Sequence, residues 1–127
     1  MREMNKSGKG FRKLILWKEM MILVKLIYQK TAKFPRSEDY GLTSQMRRAA
    51  VSIIANFVEG YTRNKRFPKD FLNYLSHSDA SLAELECHLE VALENIKEFN
   101  KNDYDECESQ RSKVAYLLNS FTKSVEK

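Results

Sequence analysis

The chain has 127 residues and a net charge of +5, with 43% hydrophobic and 31% charged residues. This length fits one domain with a sizeable core, and the composition is that of an ordinary globular protein. The longest apolar run is well short of the roughly 18 residues that a membrane helix needs, and residues 1–10 lack the apolar segment of a secretory signal. We therefore expect a cytoplasmic protein with no membrane partner, made of a flexible basic tail over residues 1–10 and a single domain over residues 11–127.

The first predicted helix covers about residues 13–32, because apolar residues recur there every three or four positions and the residue before Pro35 disfavours a helix. Its predicted buried seam consists of Leu14, Trp17, Met21, Val24, Tyr28 and Thr31. Further apolar residues of this helix lie outside the seam, namely Ile15, Leu16, Met20, Ile22, Leu23, Leu26 and Ile27. A helix that is apolar around much of its circumference faces two neighbours, which favours a subunit interface.

The second predicted helix covers about residues 43–59, with Thr43 as its N-cap and Gly60 as the residue that ends it. A polar stripe runs along this helix beside its apolar face. We expect a structural polar network that consists of Gln45, Arg48, Ser52, Asn56, Glu59 and, on the third helix, Glu84. In this network we expect Arg48 to pair with an acid of the third helix such as Glu84, which does more for helix register than for stability. An active site is the alternative interpretation of the same residues.

The last two predicted helices are long and regular. The third has Pro68 in its first turn, a length approaching 48 Å at about 1.5 Å per residue, and a seam of Phe71, Leu75, Ser78, Leu82, Leu85, Leu89, Ala92, Ile96 and Phe99. The fourth begins at Asp103, with Glu106 in a capping arrangement, and has a seam of Tyr104, Cys107, Arg111, Val114, Leu118, Phe121 and Val125. The predicted connections are about residues 33–42, 60–67 and 100–102. Since short connections force neighbouring helices to run antiparallel, the sequence predicts an all-α, antiparallel, up-down-up-down four-helix bundle.

Charge is divided unevenly along the chain. Residues 1–70 hold 16 Lys and Arg against 6 Asp and Glu, whereas residues 71–127 hold 6 against 11. An antiparallel bundle gathers the start of the first helix, the connection between the second and third helices, and the end of the chain at one pole. We expect this pole to bind RNA or DNA phosphates with little sequence specificity through Lys9, Arg12, Lys13, Arg63, Lys65, Arg66 and Lys69. The alternative is a solvated basic surface that keeps the protein in solution.

Several short motifs between about residues 11 and 99 resemble one protein family. They are Leu16-Trp17-Lys18, Phe34-Pro35, Tyr40-Gly41-Leu42-Thr43-Ser44-Gln45, Arg47-Arg48-Ala49-Ala50-Val51-Ser52-Ile53, Glu59-Gly60 and Glu84-Leu85-Glu86. In these motifs the chain is similar to the 23S rRNA intervening-sequence proteins, which are small four-helix bundles. The resemblance implies a homopentamer with no established enzymatic activity. A more distant likeness, at the level of the fold alone, is to the accessory variability determinant of diversity-generating retroelements, a pentamer that binds nucleic acid and a reverse transcriptase.

These features together predict a non-catalytic, homo-oligomeric bundle that binds nucleic acid through its basic pole. His77 and His88 on the third helix belong to no Glu-x-x-His motif repeated on other helices, and Cys87 and Cys107 have no metal-binding spacing. We therefore expect no catalytic residue, metal or cofactor. The alternative is a protein-interaction or scaffold module that docks another protein, such as a polymerase, and has no direct nucleic-acid role. Salt distinguishes the two, because binding to phosphates weakens steeply as salt rises.

Overall fold

The structure, a computed structural model, describes residues 10–63 and 68–126. These residues form four long α-helices and no β-strand: α1 is Ile15–Thr31, α2 is Leu42–Arg63, α3 is Pro68–Asn95 and α4 is Lys101–Glu126. A turn of 3-10 helix, Gly10–Lys13, precedes α1, and another, Arg36–Glu38, lies between α1 and α2. In this part of the chain, no helix combines the length and the apolar character that crossing a membrane requires. The predicted all-α fold is confirmed.

Each helix packs against the next one in chain order, and α1 also packs against α4, which closes the bundle. Lys30, in the last turn of α1, forms an ion pair with Asp103 in the first turn of α4 at 3.0 Å. Phe71, near the start of α3, meets Phe121, near the end of α4, with ring centroids 5.8 Å apart. Positions early in one helix therefore contact positions late in its neighbour, as in an up-down-up-down bundle.

The core residues of α3 and α4 follow the predicted seams. All nine seam residues of the third predicted helix are buried, and those of the fourth are buried or partly buried. Ile96 and Phe99 are buried beyond Asn95, where α3 ends, so they close the core from the connection rather than from the helix. With 28 residues, α3 is about 42 Å long at 1.5 Å per residue, somewhat shorter than predicted.

The predicted seam of the first helix is wrong in its central positions. The residues of α1 that enter the core are Leu16, Met20, Leu23, Ile27 and Thr31. Met21 and Tyr28, both in the predicted seam, are 44% and 43% exposed. Because α1 is apolar around most of its circumference, its spacing fits two faces almost equally well. Packing against both α2 and α4 selects the face.

Gly60 lies inside α2 and does not end it, since the helix continues to Arg63. The residue is buried, and a Cβ at this position would lie 2.7 Å from Cβ of Tyr74 and 2.9 Å from a ring carbon of Phe71. The glycine is therefore required for the close approach of α2 to α3, and not for a left-handed helix end.

The starts of α2 and α4 also differ from prediction. Thr43 is not the N-cap of α2, because the helix begins at Leu42, whose amide donates to Oε1 of Glu38 at 3.2 Å. At α4 the capping interaction joins Asn100 and Asp103 rather than Asp103 and Glu106. The Asp103 amide donates to Oδ1 of Asn100 at 2.8 Å, and the Asn100 amide donates to Oδ2 of Asp103 at 3.2 Å. This reciprocal pair is a capping box that starts α4 two residues early.

Candidate nucleic-acid interface

The structure describes part of the predicted phosphate-binding set. Arg63 is the last residue of α2, and Lys69 is the second residue of α3, where it is exposed. Outside the described residues lie Lys9, Lys65 and Arg66, together with the side chains of Arg12 and Lys13. For these five side chains the role in binding phosphate stays a prediction.

Arg63 is held by contacts within the chain. Its Nη2 lies 3.3 Å from Oδ2 of Asp70, its Nη1 lies 3.9 Å from Oε2 of Glu59, and its guanidinium stands 5.9 Å from the ring centroid of Tyr74. These contacts fix the guanidinium between α2 and α3 and offset part of its charge. The exposed Lys69 is therefore more available to bind a phosphate than Arg63 is.

Tyr61 is part of an aromatic cluster that joins three helix ends. Its ring centroid lies 6.0 Å from that of Phe57 and 6.1 Å from that of Phe71. Phe121, near the end of α4, completes the cluster at 5.4 Å from Phe57. This packing places the partly buried Tyr61 against the end of the hydrophobic core.

The described charges separate between the two halves of the bundle. Residues 15–63, which contain α1 and α2, carry eight Lys and Arg against four Asp and Glu, whereas residues 68–126 carry six against twelve. Exposed carboxylates line the outer surface of α3 at Asp79, Glu84, Glu86, Glu90 and Glu94. A polyanion is therefore repelled from the α3 and α4 side and attracted to the α1 and α2 side.

Four small polar side chains form hydrogen bonds where α2 meets α3, and two of them, Ser52 and Asn56, belong to the predicted polar network. Nδ2 of Asn56 donates to Oγ of Ser52 at 3.0 Å and to the Ser52 carbonyl at 2.9 Å. Oγ of Ser81 hydrogen-bonds to Oγ of Ser52 at 2.9 Å, and Oγ of the buried Ser78 donates to the Ile53 carbonyl at 2.7 Å. The two α3 serines were not assigned to the network from the sequence, although a serine within an apolar seam is a signal for such a buried bond.

The outer members of the network do not join it. Arg48, Gln45 and Glu59 are exposed, and in the described part of the chain Arg48 forms no ion pair with Glu84. Instead, Oε2 of Glu84 lies 3.2 Å from Nε2 of His88, one turn along α3. The expected Arg48–Glu84 pair is absent because Arg48 projects from the side of α2 that faces away from the core.

An ion cluster that sequence reasoning missed joins α1 to the start of α4. The buried carboxylate of Asp103 lies 3.0 Å from Nζ of Lys30 and 3.2 Å from Nζ of Lys33. Burial raises the pKa of Asp103, but hydrogen bonds from Lys30, the Asn100 amide and Lys33 together hold it below its ordinary value. The pKa of Lys30 is raised by its hydrogen bonds to Glu106 and Asp103. This cluster connects the end of α1 to the start of α4.

A second cluster joins α3 to α4. Nε and Nη2 of the buried Arg111 donate to the two carboxylate oxygens of Glu108, each at 2.7 Å, and Nη2 lies 3.6 Å from Glu86. The hydrogen bond from Arg111 is the main cause of the lowered pKa of Glu108. The hydroxyl of Tyr104 donates to Glu90, which raises the pKa of Tyr104 to about 12. These contacts hold the two helices in register.

The remaining candidate groups offer little chemistry in the described residues. No three His, Cys, Asp or Glu side chains among residues 10–63 and 68–126 come close enough to hold a metal ion. Cys107 is buried, which raises the pKa of its thiol to about 12 and keeps it protonated. His77 packs against the ring of Tyr74 at 6.3 Å. The expectation that the protein uses no metal or cofactor stays a prediction.

Comparison with known proteins places the chain in a family. A crystal structure of a protein of unknown function from the S23 ribosomal protein family of Bacteroides thetaiotaomicron superposes with a TM-score of 0.73 at 20% sequence identity, over 86% of this chain and 99% of that one. At this identity the likeness establishes the fold alone. No protein with a curated description matches. The model of the 23S rRNA-intervening sequence proteins matches residues 12–120, which confirms the resemblance seen in the motifs, and the chain therefore belongs to the 23S rRNA-intervening sequence protein family.

Proposed function

We propose that the protein is a non-catalytic homo-oligomer that binds RNA or DNA at one end of its bundle. We call this the basic end and define it by Arg63 at the end of α2, Lys69 at the start of α3 and Lys123 in the last turn of α4. In the sequence, Lys65 and Arg66 fall between the first two of these residues. Lys and Arg in such a cluster bind phosphates through charge, with little preference for base sequence.

The observation that carries the proposal is the meeting of three helix ends. Phe57, Phe71 and Phe121 pack together with centroid distances of 5.4 and 5.8 Å, so the ends of α2 and α4 and the start of α3 share one end of the molecule. The cations that these helix ends bear therefore act on one region of solvent. The carboxylates on α3 and α4 supply an opposing field that directs a polyanion toward this end and toward α1 and α2.

The proposed assembly rests on apolar surface left outside the core. Ile15 and Ile22 on α1 are 68% and 45% exposed. An open groove of about 540 Å³ lies between α1 and α2 and is lined in part by Trp17, Ile54 and Val58. Such surface supports burial against another copy of the chain. Assembly of five copies around one axis, the number that the family resemblance implies, sets every basic end on the same side and multiplies the local positive charge.

The test is a fluorescence-anisotropy titration of the full chain with labelled single-stranded and duplex RNA and DNA at low and moderate salt, with the oligomer mass measured by light scattering. The variant, which we call the basic-end variant, is Lys65→Gln/Arg66→Gln/Lys69→Gln. It leaves the ion pairs of Arg63 intact. Its matched control, Arg36→Gln/Lys97→Gln/Lys101→Gln, removes the same charge at the opposite end. Each lost phosphate contact lowers the slope of log affinity against log salt by about 0.7 to 0.9.

We expect the basic-end variant to lose at least about tenfold in affinity with a shallower salt slope, and the control to bind almost as well as the wild type. Equal losses in the two variants would show that net charge, not the basic end, drives binding. Absence of binding by the wild-type protein at low salt would refute the function itself.

A protein-docking scaffold is the second candidate, and the groove beside Trp17 favours it. An apolar groove binds a partner through buried area, so its affinity changes little with salt. Val58→Glu replaces an apolar wall residue with a second carboxylate beside Glu59 and is expected to abolish such docking or self-association while leaving nucleic-acid binding by a single copy unchanged. Loss of nucleic-acid binding together with assembly would instead show that phosphate contacts need several copies.

A further inference from the structure

One face of α1 is exposed and carries both apolar and basic side chains. Its members recur every three or four positions, so they lie on one side of the helix; they are Ile15, Lys18, Met21, Ile22 and Lys25, and all five are exposed. Single exposed apolar residues are ordinary on a protein surface. Three large ones on one helix face form a surface that burial against a partner would stabilise.

The two lysines of this face have no acidic partner in the part of the chain that the structure describes. The one acid of α1 is Glu19, and it is already engaged by α4. Its carboxylate accepts a hydrogen bond from Nε2 of Gln110 at 2.8 Å and lies 3.4 Å from Nζ of Lys113. The exposed face of α1 is therefore apolar and positively charged, and it favours a partner surface that is apolar and acidic.

The outer face of α3 has these complementary properties. It presents three exposed small residues, Ala80, Ala83 and Cys87. Asp79 and Glu94 are exposed beside them and, within residues 10–63 and 68–126, form no ion pair. The whole of α3 carries six acids against one lysine, whereas α1 carries three lysines against one acid. The two helices therefore attract each other when they belong to different copies of the chain.

The two faces also match in shape and in period. Ile15 and Ile22 are seven residues apart, as are Ala80 and Cys87, which is a rise of about 10.5 Å at 1.5 Å per residue. Large side chains on one helix fit the spaces between small side chains on another, which is how packed helices interdigitate. Burial of the apolar side chains supplies most of the affinity of such a contact, whereas the opposite charges determine its register and specificity.

The positions of α1 and α3 in the bundle determine the kind of assembly. Both helices pack against α2 and α4, so they stand diagonally across the core and their outer faces point away from each other. One copy therefore cannot cover its own α1 face, and it presents a different face to each of two neighbours. Such a contact is heterologous, which produces a ring or a filament and not a dimer with a twofold axis.

We propose that the outer face of α1 binds the outer face of α3 of a second copy of the chain. In this head-to-tail contact Lys18 and Lys25 pair with acids of the second copy, among them Asp79 and Glu94. The inference rests on the self-assembly in the proposed function and specifies which two faces meet. It requires neither the basic end nor a nucleic acid.

The test measures the mass of the full chain by sedimentation over a range of protein concentrations. The α1-face variant is Lys18→Glu/Lys25→Glu. Because like charges then meet across the contact, we expect the concentration at half-assembly to rise by at least about tenfold. The matched control, Arg36→Glu/Lys97→Glu, reverses two exposed cations that lie on neither face, and its assembly should stay within about twofold of the wild type. Circular dichroism checks that each variant is folded.

Two further experiments separate a specific contact from a general effect of charge. Adding Asp79→Lys/Glu94→Lys to the α1-face variant restores opposite charges across the contact and is expected to restore assembly. The variant Ala80→Gln/Ala83→Gln fills the small face of α3 with longer side chains and is expected to stay monomeric. When it is mixed with the α1-face variant, a one-to-one dimer should form, because each copy keeps one intact face.

Three results would overturn the proposal: equal weakening by the α1-face variant and its control, failure of the charge swap to restore assembly, or a mixture that stays monomeric. Each of them leaves nucleic-acid binding at the basic end untouched. Conversely, an assembled wild type that binds no nucleic acid would refute the proposed function and not this contact. A monomeric wild type would refute the assembly in both proposals, and its sedimentation with vesicles of anionic lipid would assign the α1 face to a membrane surface instead.

Discussion

Gly60 allows a quantitative test of the packing between α2 and α3. An alanine at an unhindered helix position is more favourable than glycine by about 0.5–1 kcal/mol. At Gly60, however, the added Cβ would lie 2.7 Å from Cβ of Tyr74 and 2.9 Å from a ring carbon of Phe71. Because Cβ of Tyr74 moves only with the α3 backbone, the overlap has to be relieved by a shift of the helix. Overpacking of this kind costs about 1–3 kcal/mol.

The gain and the cost together predict that Gly60→Ala lowers the free energy of unfolding by about 1 kcal/mol. The assay is urea denaturation followed by circular dichroism, with all variants at one protein concentration because assembly affects the apparent stability. Ala55→Gly, at an exposed position of the same helix, measures the propensity difference alone and should cost about 0.5–1 kcal/mol. Gly60→Val is expected to be less stable than Gly60→Ala.

A Gly60→Ala protein as stable as the wild type or more stable would refute this reasoning. In that case α2 and α3 can separate without loss, and the glycine serves another purpose than close approach. A normal cost for Ala55→Gly in the same experiment excludes an error in the propensity estimate.

Three further predictions concern the polar and ionisable groups. Asp103→Asn should destabilise the protein by about 1–3 kcal/mol at neutral pH. Because the folded-state pKa of Asp103 is lowered, its stabilising effect is complete above the unfolded pKa near 3.9 and is lost as pH falls through the lower folded value. If the stability difference between Asp103→Asn and the wild type stayed unchanged at low pH in acid-unfolding curves, the ionised Asp103 would not be the stabilising group. Ser81→Ala should cost about 1 kcal/mol in urea denaturation, and a double-mutant cycle with Ser52→Ala should show that the two losses are not additive. In the native protein a thiol reagent should label the exposed Cys87 and spare the buried Cys107, whereas both should react in denaturant. Rapid labelling of both thiols in the native state would show that the core opens at α4.

The candidate site was predictable from the sequence only as far as charge is concerned. The basic residues near the connection of α2 and α3 stand out because they are close in the sequence. The polar network was assigned on the basis of one helix face, so Ser52 and Asn56 were found together but Arg48 and Glu84 were paired wrongly. A helical wheel gives the direction of a side chain from its own axis but not the distance to the neighbouring helix.

For α3 and α4 the sequence by itself determined both the helices and their buried faces, because each has one apolar seam on an otherwise polar surface and only one orientation buries it. For α1 only the tertiary structure decided which face is inside, since Leu16, Met20, Leu23 and Ile27 compete with an equally apolar face beside them. The role of Gly60 was likewise decided by the tertiary structure. Local conformational preference alone predicts a helix end at this glycine, but the residue is a contact point between two helices. Local propensity and periodicity are encoded within one segment, whereas the choice between two apolar faces and the spacing of two backbones depend on atoms that other segments bring.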